Sequence, residues 1–204
     1  MAGKGLLVIL SGPSGCGKDT VIDELRKQDE RVVVSISSTT RERRECEVDG
    51  VNYNFLKRDE FEKLIANDEV LEYAEYNGNY YGTPVKPLEV MLNEGKIVLL
   101  KIEVQGAEKV MKKLGDKVVS IFLLPPSFEE LEKRLRFRNT ETEEQLMSRL
   151  NIARDEVCRA VNYDYTVAND NLSVAVKDIL SIFKAEEKKT KRNLEMIREV
   201  CKNA

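Results

Sequence analysis

A short apolar run at residues 6–10 (Leu-Leu-Val-Ile-Leu) ends in Gly12-Pro13-Ser14-Gly15-Cys16-Gly17-Lys18, and Val21, Ile22 and Leu25 follow at helical spacing. An apolar run of this length, closed by glycines, predicts a strand buried on both faces, and the spacing after it predicts a helix. A glycine-rich turn between the two lets successive backbone N–H groups face one point. The helix N-terminus adds partial positive charge there, and Lys18 adds a full one. The partner this chemistry suits is a polyphosphate. One position departs from the general motif, which places Ser or Thr after the lysine to carry Mg²⁺. Asp19 stands there instead, with Thr20 next. Either residue could hold the metal, directly or through water, while Asp19 would also repel phosphate.

A chain of 204 residues suits one α/β domain with small insertions. Its 33 Lys+Arg against 36 Asp+Glu leave a net charge of −3, which argues against a general nucleic-acid binder. The absence of histidine removes the usual general base and the usual zinc ligand. Cys16, Cys46, Cys158 and Cys201 form no CxxC pair and read as reduced thiols of a cytoplasmic protein. No apolar run is long enough to cross a membrane, and the N-terminus lacks a secretory core.

Strand and helix signals alternate, which predicts a parallel sheet wrapped by helices. Strands are expected at residues 6–10, 32–36, 96–102, 118–124 and 165–168. Between residues 37 and 83 Tyr, Asn, Gly and charged residues dominate. Short strands at 53–56, 70–76 and 79–81, a tight turn at Asn77-Gly78 and a helix at 59–67 read as a small inserted subdomain. Capping boxes at Ser127–Glu130 and at Thr140–Glu143 open two helices, with Phe128, Leu131 and Leu135 on one face of the first and Leu146, Leu150, Ala153 and Val157 in register on the second. A final helix at 172–183 runs into a charged stretch, 184–192, expected to be a solvated helical extension.

Residues 37–44 (Ser-Ser-Thr-Thr-Arg-Glu-Arg-Arg) place three arginines and four hydroxyls after the second strand. Arginines in a cleft grip phosphate bidentately; on a surface the same residues form a solvated basic turn. Tyr53 and Tyr81 add phenol hydroxyls on stiff stems, whereas Tyr80 reads better as strand packing.

Seven segments, in order, carry a resemblance: residues 12–15, 37–41 with Arg44, 49–55, 78–83, 103–106, 140–143 and 169–170. They resemble guanylate kinase over about residues 5–185. The resemblance implies a P-loop parallel-sheet core flanked by helices (1–36, 84–136 and 160–204), a nucleotide-monophosphate-binding insertion (37–83) and a helical lid (137–159). It implies transfer of the ATP γ-phosphate to GMP with Mg²⁺, the partners being ATP and GMP, not nucleic acid or membrane. ATP would lie on Gly12, Pro13, Ser14, Gly15, Cys16, Gly17, Lys18, Asp19 and Thr20, with Asn169 at the adenine edge. The GMP phosphate would be held by Arg41, Arg44, Tyr53 and Tyr81, and the guanine read by Ser37, Glu72, Thr83 and Glu103. Lys18, Arg41 and the lid arginines Arg134, Arg138 and Arg149 would stabilise charge on the moving phosphoryl group. Carboxylates suit guanine's N1–H and amino donors, and hydroxyls suit its O6; adenine would leave them unpaired.

Two positions depart from that family pattern. Lys101 stands where an acid is usual, two residues before Glu103; such a reversal would either alter metal binding or compensate for the extra carboxylate at Asp19. Phe137-Arg138-Asn139 replaces a glycine-flanked arginine in the lid. Competing readings are a catalytically weak guanylate-kinase-like binding module, against which the intact Gly17-Lys18 speaks, and a kinase for another nucleoside monophosphate, against which Glu72, Thr83 and Glu103 speak. A GTPase switch lacks its guanine-reading Asn-Lys-x-Asp sequence here.

Overall fold

Alternation along single strands builds the core. In β1 (Leu6–Ser11) every residue is buried. Leu6, Val8 and Leu10 face one apolar cluster, while Leu7 and Ile9 face the other. Successive side chains of a strand point to opposite faces, so both faces of this sheet must be covered. The computed structural model describes residues 5–137 and 142–202.

After β1 come α1 (Lys18–Gln28), β2 (Val32–Val34), β3 (Ser38–Thr39), β4 (Asn54–Phe55), α2 (Arg58–Ala66), β5 (Val70–Tyr76), β6 (Asn79–Pro84), α3 (Val85–Asn93), β7 (Ile97–Leu100) and α4 (Val104–Leu114). Then follow β8 (Val119–Leu124), α5 (Phe128–Phe137), α6 (Glu143–Cys158), β9 (Tyr165–Ala168), α7 (Leu172–Glu187) and α8 (Leu194–Lys202). The main sheet has the order β2-β7-β1-β8-β9, and all its pairings are parallel. On one face α1 (Val21, Ile22, Leu25) and α7 (Ala175, Val176, Ile179, Phe183) pack against Leu6, Val8, Leu99 and Ile121. On the other, Leu88 of α3 and Val104, Ala107 and Val110 of α4 meet Ile9, Val98, Leu100 and Phe122. The expected α/β class with a parallel core is the observed one. Leu131, Leu135, Leu146, Leu150 and Ala153 of α5 and α6 make a third, smaller cluster.

A second sheet, β4-β3-β6-β5, is mixed: β3 and β4 run parallel, whereas β6 is antiparallel to both β3 and β5. It draws all its strands from residues 38–84.

Several boundaries differ from expectation, each for a physical reason. The second strand stops at Val34 rather than residue 36, because Asn54 and its side-chain amide take up the carbonyls of Ser37 and Ile36 and turn the chain into the second sheet. Ser38-Thr39 is a strand that the hydroxyl-rich sequence does not announce; it is buried between β4 and β6. β7 ends at Leu100, not at residue 102, where Ile102's carbonyl accepts from Ser11 Oγ at 2.9 Å. β6 runs on to Pro84 because β5 pairs with it as far as Val70.

The helix caps shift too. The box that opens α6 is Thr142 with Gln145, bonded reciprocally at 3.3 and 3.0 Å, and not the expected Thr140 with Glu143. Thr140 and Glu141 lie outside the described residues. Glutamine closes such a box as well as glutamate, which moves the start of the helix by two. At α5 the Glu130 N–H donates to Ser127 Oγ at 3.1 Å, while the Glu130 carboxylate accepts from Arg134. The charged stretch 184–192 is not one continuous helix. α7 ends at Glu187, where Asn193 Nδ2 donates to the carbonyls of Glu187 and Lys189, and α8 follows separately.

Candidate active site

Parallel pairing brings the C-terminal ends of β1, β7 and β8 to one edge of the sheet, the place where open α/β sheets bind ligands. The glycine-rich loop begins there. Gly17 caps α1 at φ +92°, and a Cβ on it would sit 2.5 Å from Asn169 Nδ2. Gly15, at φ +88°, lies against Leu135 and Leu131 of α5, where a Cβ would be 3.0 and 3.2 Å away. Both need the left-handed backbone that glycine adopts without strain. Lys18 Nζ arches over the loop and donates to the carbonyls of Gly12 and Pro13, at 2.5 and 3.0 Å. Burial pushes the Cys16 thiol up, opposed by Lys18, so it fills space as a neutral group.

Asn169 braces the loop from behind. Its side-chain amide donates to Cys16's carbonyl at 2.8 Å, and its own carbonyl faces the Arg134 guanidinium at 3.5 Å. Expected adenine contact therefore competes with a structural bond. Arg134 also donates to Glu130 and is not among the described residues that line the cleft. Arg138 lies outside the described residues.

The cleft in front of the loop measures about 490 Å³. Its walls include Gly12, Ser14, Gly15, Gly17, Lys18, Asp19, Thr20, Lys101, Glu103, Arg149 and Glu156. Lys101 Nζ meets Asp19 Oδ1 at 2.7 Å, the charge compensation that was one of the two sequence-based alternatives for this lysine. Arg149, Ile152 and Glu156 reach the cleft from one stripe of α6, because residues three and seven apart share a helix face. Glu156 was not legible as a site residue. Its signal was there in the seven-residue step from Arg149. Burial raises its carboxyl above the ordinary value; Lys18 opposes this and Glu103 adds to it.

A second group gathers on the small sheet. Arg41 makes a two-pronged ion pair with Glu47 and lies 5.3 Å from the Tyr53 ring centre and 5.5 Å from that of Phe55. Tyr53 and Tyr81 meet edge to face at 6.0 Å. Glu47, which sequence reading overlooked, also accepts from the Arg44 backbone N–H at 3.0 Å. The Arg41 bonds, aided by that N–H, hold its carboxyl down at about 2. Arg44 shows its side chain to solvent, and Tyr80 stacks on Phe61 as strand packing. Ser37 is half-buried just ahead of β3.

Deeper in, Thr83 Oγ1 donates to Glu72 Oε1 at 2.8 Å. Glu72 is 9% exposed and Thr83 1%. Burial raises the Glu72 carboxyl, with Thr83 and Lys109 opposing and Glu103 adding to the rise. Gly106 of α4 leaves room for it, since a Cβ there would lie 3.2 Å from Glu72 Oε2. Glu103, at the N-cap of α4, lines the cleft, and its charge adds to the rise of both the Glu72 and the Glu156 carboxyls.

The family model for guanylate kinase matches residues 4–186. The chain belongs to the guanylate kinase family. It is 49% identical over 189 residues to the guanylate kinase of Carboxydothermus hydrogenoformans, covering 93% of this chain and 92% of that one. To the guanylate kinase of Clostridium perfringens it is 48% identical over 196 residues, covering 96% and 90%. The crystal structure of guanylate kinase from Anaplasma phagocytophilum superposes with a TM-score of 0.73 at 38% identity, covering 94% of this chain and 90% of that one. The reaction of the family is ATP-dependent phosphorylation of GMP, and this member is a phosphotransferase with the family's nucleotide-binding loop.

Proposed function

We propose that this guanylate kinase moves the γ-phosphate of ATP to GMP in the cytoplasm, with the triphosphate on the loop at Lys18 and the guanine at Glu72 and Thr83. The single observation that supports this most is Glu103. It lines the cleft at Lys18, and its charge also acts on the buried Glu72 that pairs with Thr83, so the two polar sites are close neighbours. On this reading Arg41, Arg44, Tyr53 and Tyr81 hold the acceptor phosphate, while Ser37, Glu72, Thr83 and Glu103 read the base. Arg149 reaches the transferring group from α6, and Arg134 steadies the adenine end through Asn169.

Thr20 and Asp19 offer hard oxygen donors beside Lys18, a donor type that suits Mg²⁺. Among the described residues no three Asp, Glu, His or Cys side chains converge as a metal cage. That fits an ion which keeps waters and leans on substrate phosphates. Mg²⁺, when bound, neutralises charge on the phosphate oxygens. Transfer needs in-line positioning and neutralised charge more than a strong base. The attacking atom is already a phosphate oxygen, so a chain without histidine loses nothing. Among the described residues no helix is long and apolar enough to cross a membrane.

The test is ADP formation from ATP with GMP, AMP or UMP as acceptor, with and without Mg²⁺. GMP should be the only rapid acceptor, and the rate should collapse without the metal. Equal rates with AMP would refute the base assignment; GMP binding with no ADP formed would favour the binding-module reading.

Glu47 predicts a separable effect. It holds Arg41 beside the tyrosines, so Glu47→Gln should loosen the guanidinium and raise KM for GMP by about tenfold while kcat with saturating GMP changes little. Steady-state kinetics with GMP and ATP varied in turn would check this. An altered KM for ATP alone would contradict it.

A further inference from the structure

Lys101 has no part in the roles assigned so far. It sits one step beyond Leu100, which pairs with Ile9 of β1, so the end of β7 delivers it beside the glycine-rich loop. Its ammonium reaches Asp19 Oδ1 at 2.7 Å, and Asp19 follows Lys18 directly in the first turn of α1. Both side chains line the cleft that holds Lys18 and Thr20. We propose that Lys101 is a phosphate-binding residue for ATP, held over the loop by Asp19 and passed to the triphosphate when the nucleotide enters. This rests on the reading of the cleft as the ATP site.

Charge in the cleft supports it. Its described walls carry three carboxylates (Asp19, Glu103, Glu156) and three cations (Lys18, Lys101, Arg149). Without Lys101 the walls would be net negative where a polyanion must bind. Asp19 makes this worse, because it places a carboxylate at the helix N-terminus that the phosphate needs. The pair is also built to exchange. Its side chains are 45% and 77% exposed, and an ion pair so well solvated is weak. A phosphate oxygen offers the ammonium the same kind of charge-assisted bond with more negative charge behind it. Lys101 therefore does two things: it cancels Asp19 while the cleft is open to solvent, and it binds phosphate directly in the complex.

Calorimetric titration of the full chain with ATP in the presence of EDTA separates these. Lys101→Gln should weaken ATP binding about tenfold. The GMP affinity and thermal midpoint of the same variant should stay at wild-type values, which shows that it folds. Asp19→Asn/Lys101→Gln should bind ATP several-fold more weakly than Asp19→Asn alone, because the phosphate contact is lost even with no carboxylate to cancel. Two results would overturn the inference: Lys101→Gln binding ATP as wild type does, or the double variant matching Asp19→Asn, which would make Lys101 a neutraliser only. A wild-type chain that binds no ATP would instead bring down the reading of the cleft itself.

Discussion

Lys18→Ala is expected to reduce GMP-dependent ADP formation roughly a thousandfold, the scale on which a preorganised charge in a water-poor site contributes to catalysis. Lys18 is the cation nearest the loop's backbone cradle, and its Nζ already lies within 3.0 Å of two loop carbonyls. Arg149 reaches the cleft from α6 and Lys101 enters it from the end of β7, so neither starts from the place at the Gly12 and Pro13 carbonyls that the alanine would leave empty. The fold should survive, because the core beneath the loop rests on β1, β7, β8 and their helices and not on this ammonium. GMP binding should therefore be retained. A coupled assay of ADP release, run beside GMP titration, checks both halves. Retention of more than a tenth of the wild-type rate would show that the loop amides carry the charge unaided.

Glu72→Gln should have the second largest effect: kcat/KM for GMP lower by about a hundredfold at neutral pH, since a charged acceptor for two guanine donors becomes a neutral one. Its pH behaviour gives the sharper check. Burial raises the Glu72 carboxyl above the ordinary value. The ionised form must accept from guanine, so kcat/KM for GMP in the wild type should begin to fall, on acidification, at a higher pH than an ordinary carboxylate would dictate. Glu72→Gln should lack that limb. Stability runs the other way. A carboxyl raised in the folded state contributes stability that is present below its unfolded pKa and lost as pH rises through the folded value. Wherever the Glu72 carboxyl is ionised, wild type holds a buried charge that the fold alone disfavours. The glutamine variant should melt no lower, and by this reasoning somewhat higher, than wild type. Such a trade of stability for function is common where sites hold buried polar groups. Thermal melts at pH 7 and a pH profile of GMP turnover would decide; a lower midpoint would mean the carboxylate is a structural bond of Thr83 and nothing more.

Much of the fold was readable because it rests on local chemistry. Residues 6–10 and 118–124 are apolar enough to be strands covered on both sides, and Lys18 behind three glycines marks the loop. The family resemblance named Arg41, Tyr53, Glu72 and Glu103 as candidate site residues before any coordinate did. Less visible was β3. Ser38-Thr39 carries no apolar pattern, and its burial comes from neighbours far along the chain, near residues 54 and 82. Glu47 and Glu156 were passed over for a related reason. In sequence each is one of 36 acidic residues; nothing local marks the one that grips Arg41, and only the seven-residue step from Arg149 hints at the one that faces Lys18.

The amino-acid sequence by itself determined the layered α/β architecture, the phosphate loop and the family, because hydrophobic period, glycine spacing and motif order are properties of neighbouring residues. Only the tertiary structure decided that Asp19 is paired with Lys101, that Asn169 braces Cys16's carbonyl, and that Glu103 lines the cleft while its charge acts on both Glu72 and Glu156. Those are contacts between groups dozens of residues apart along the chain. Charge and hydrogen-bond interactions act across a few ångströms of space, and spatial proximity is set by how the strands order and pack.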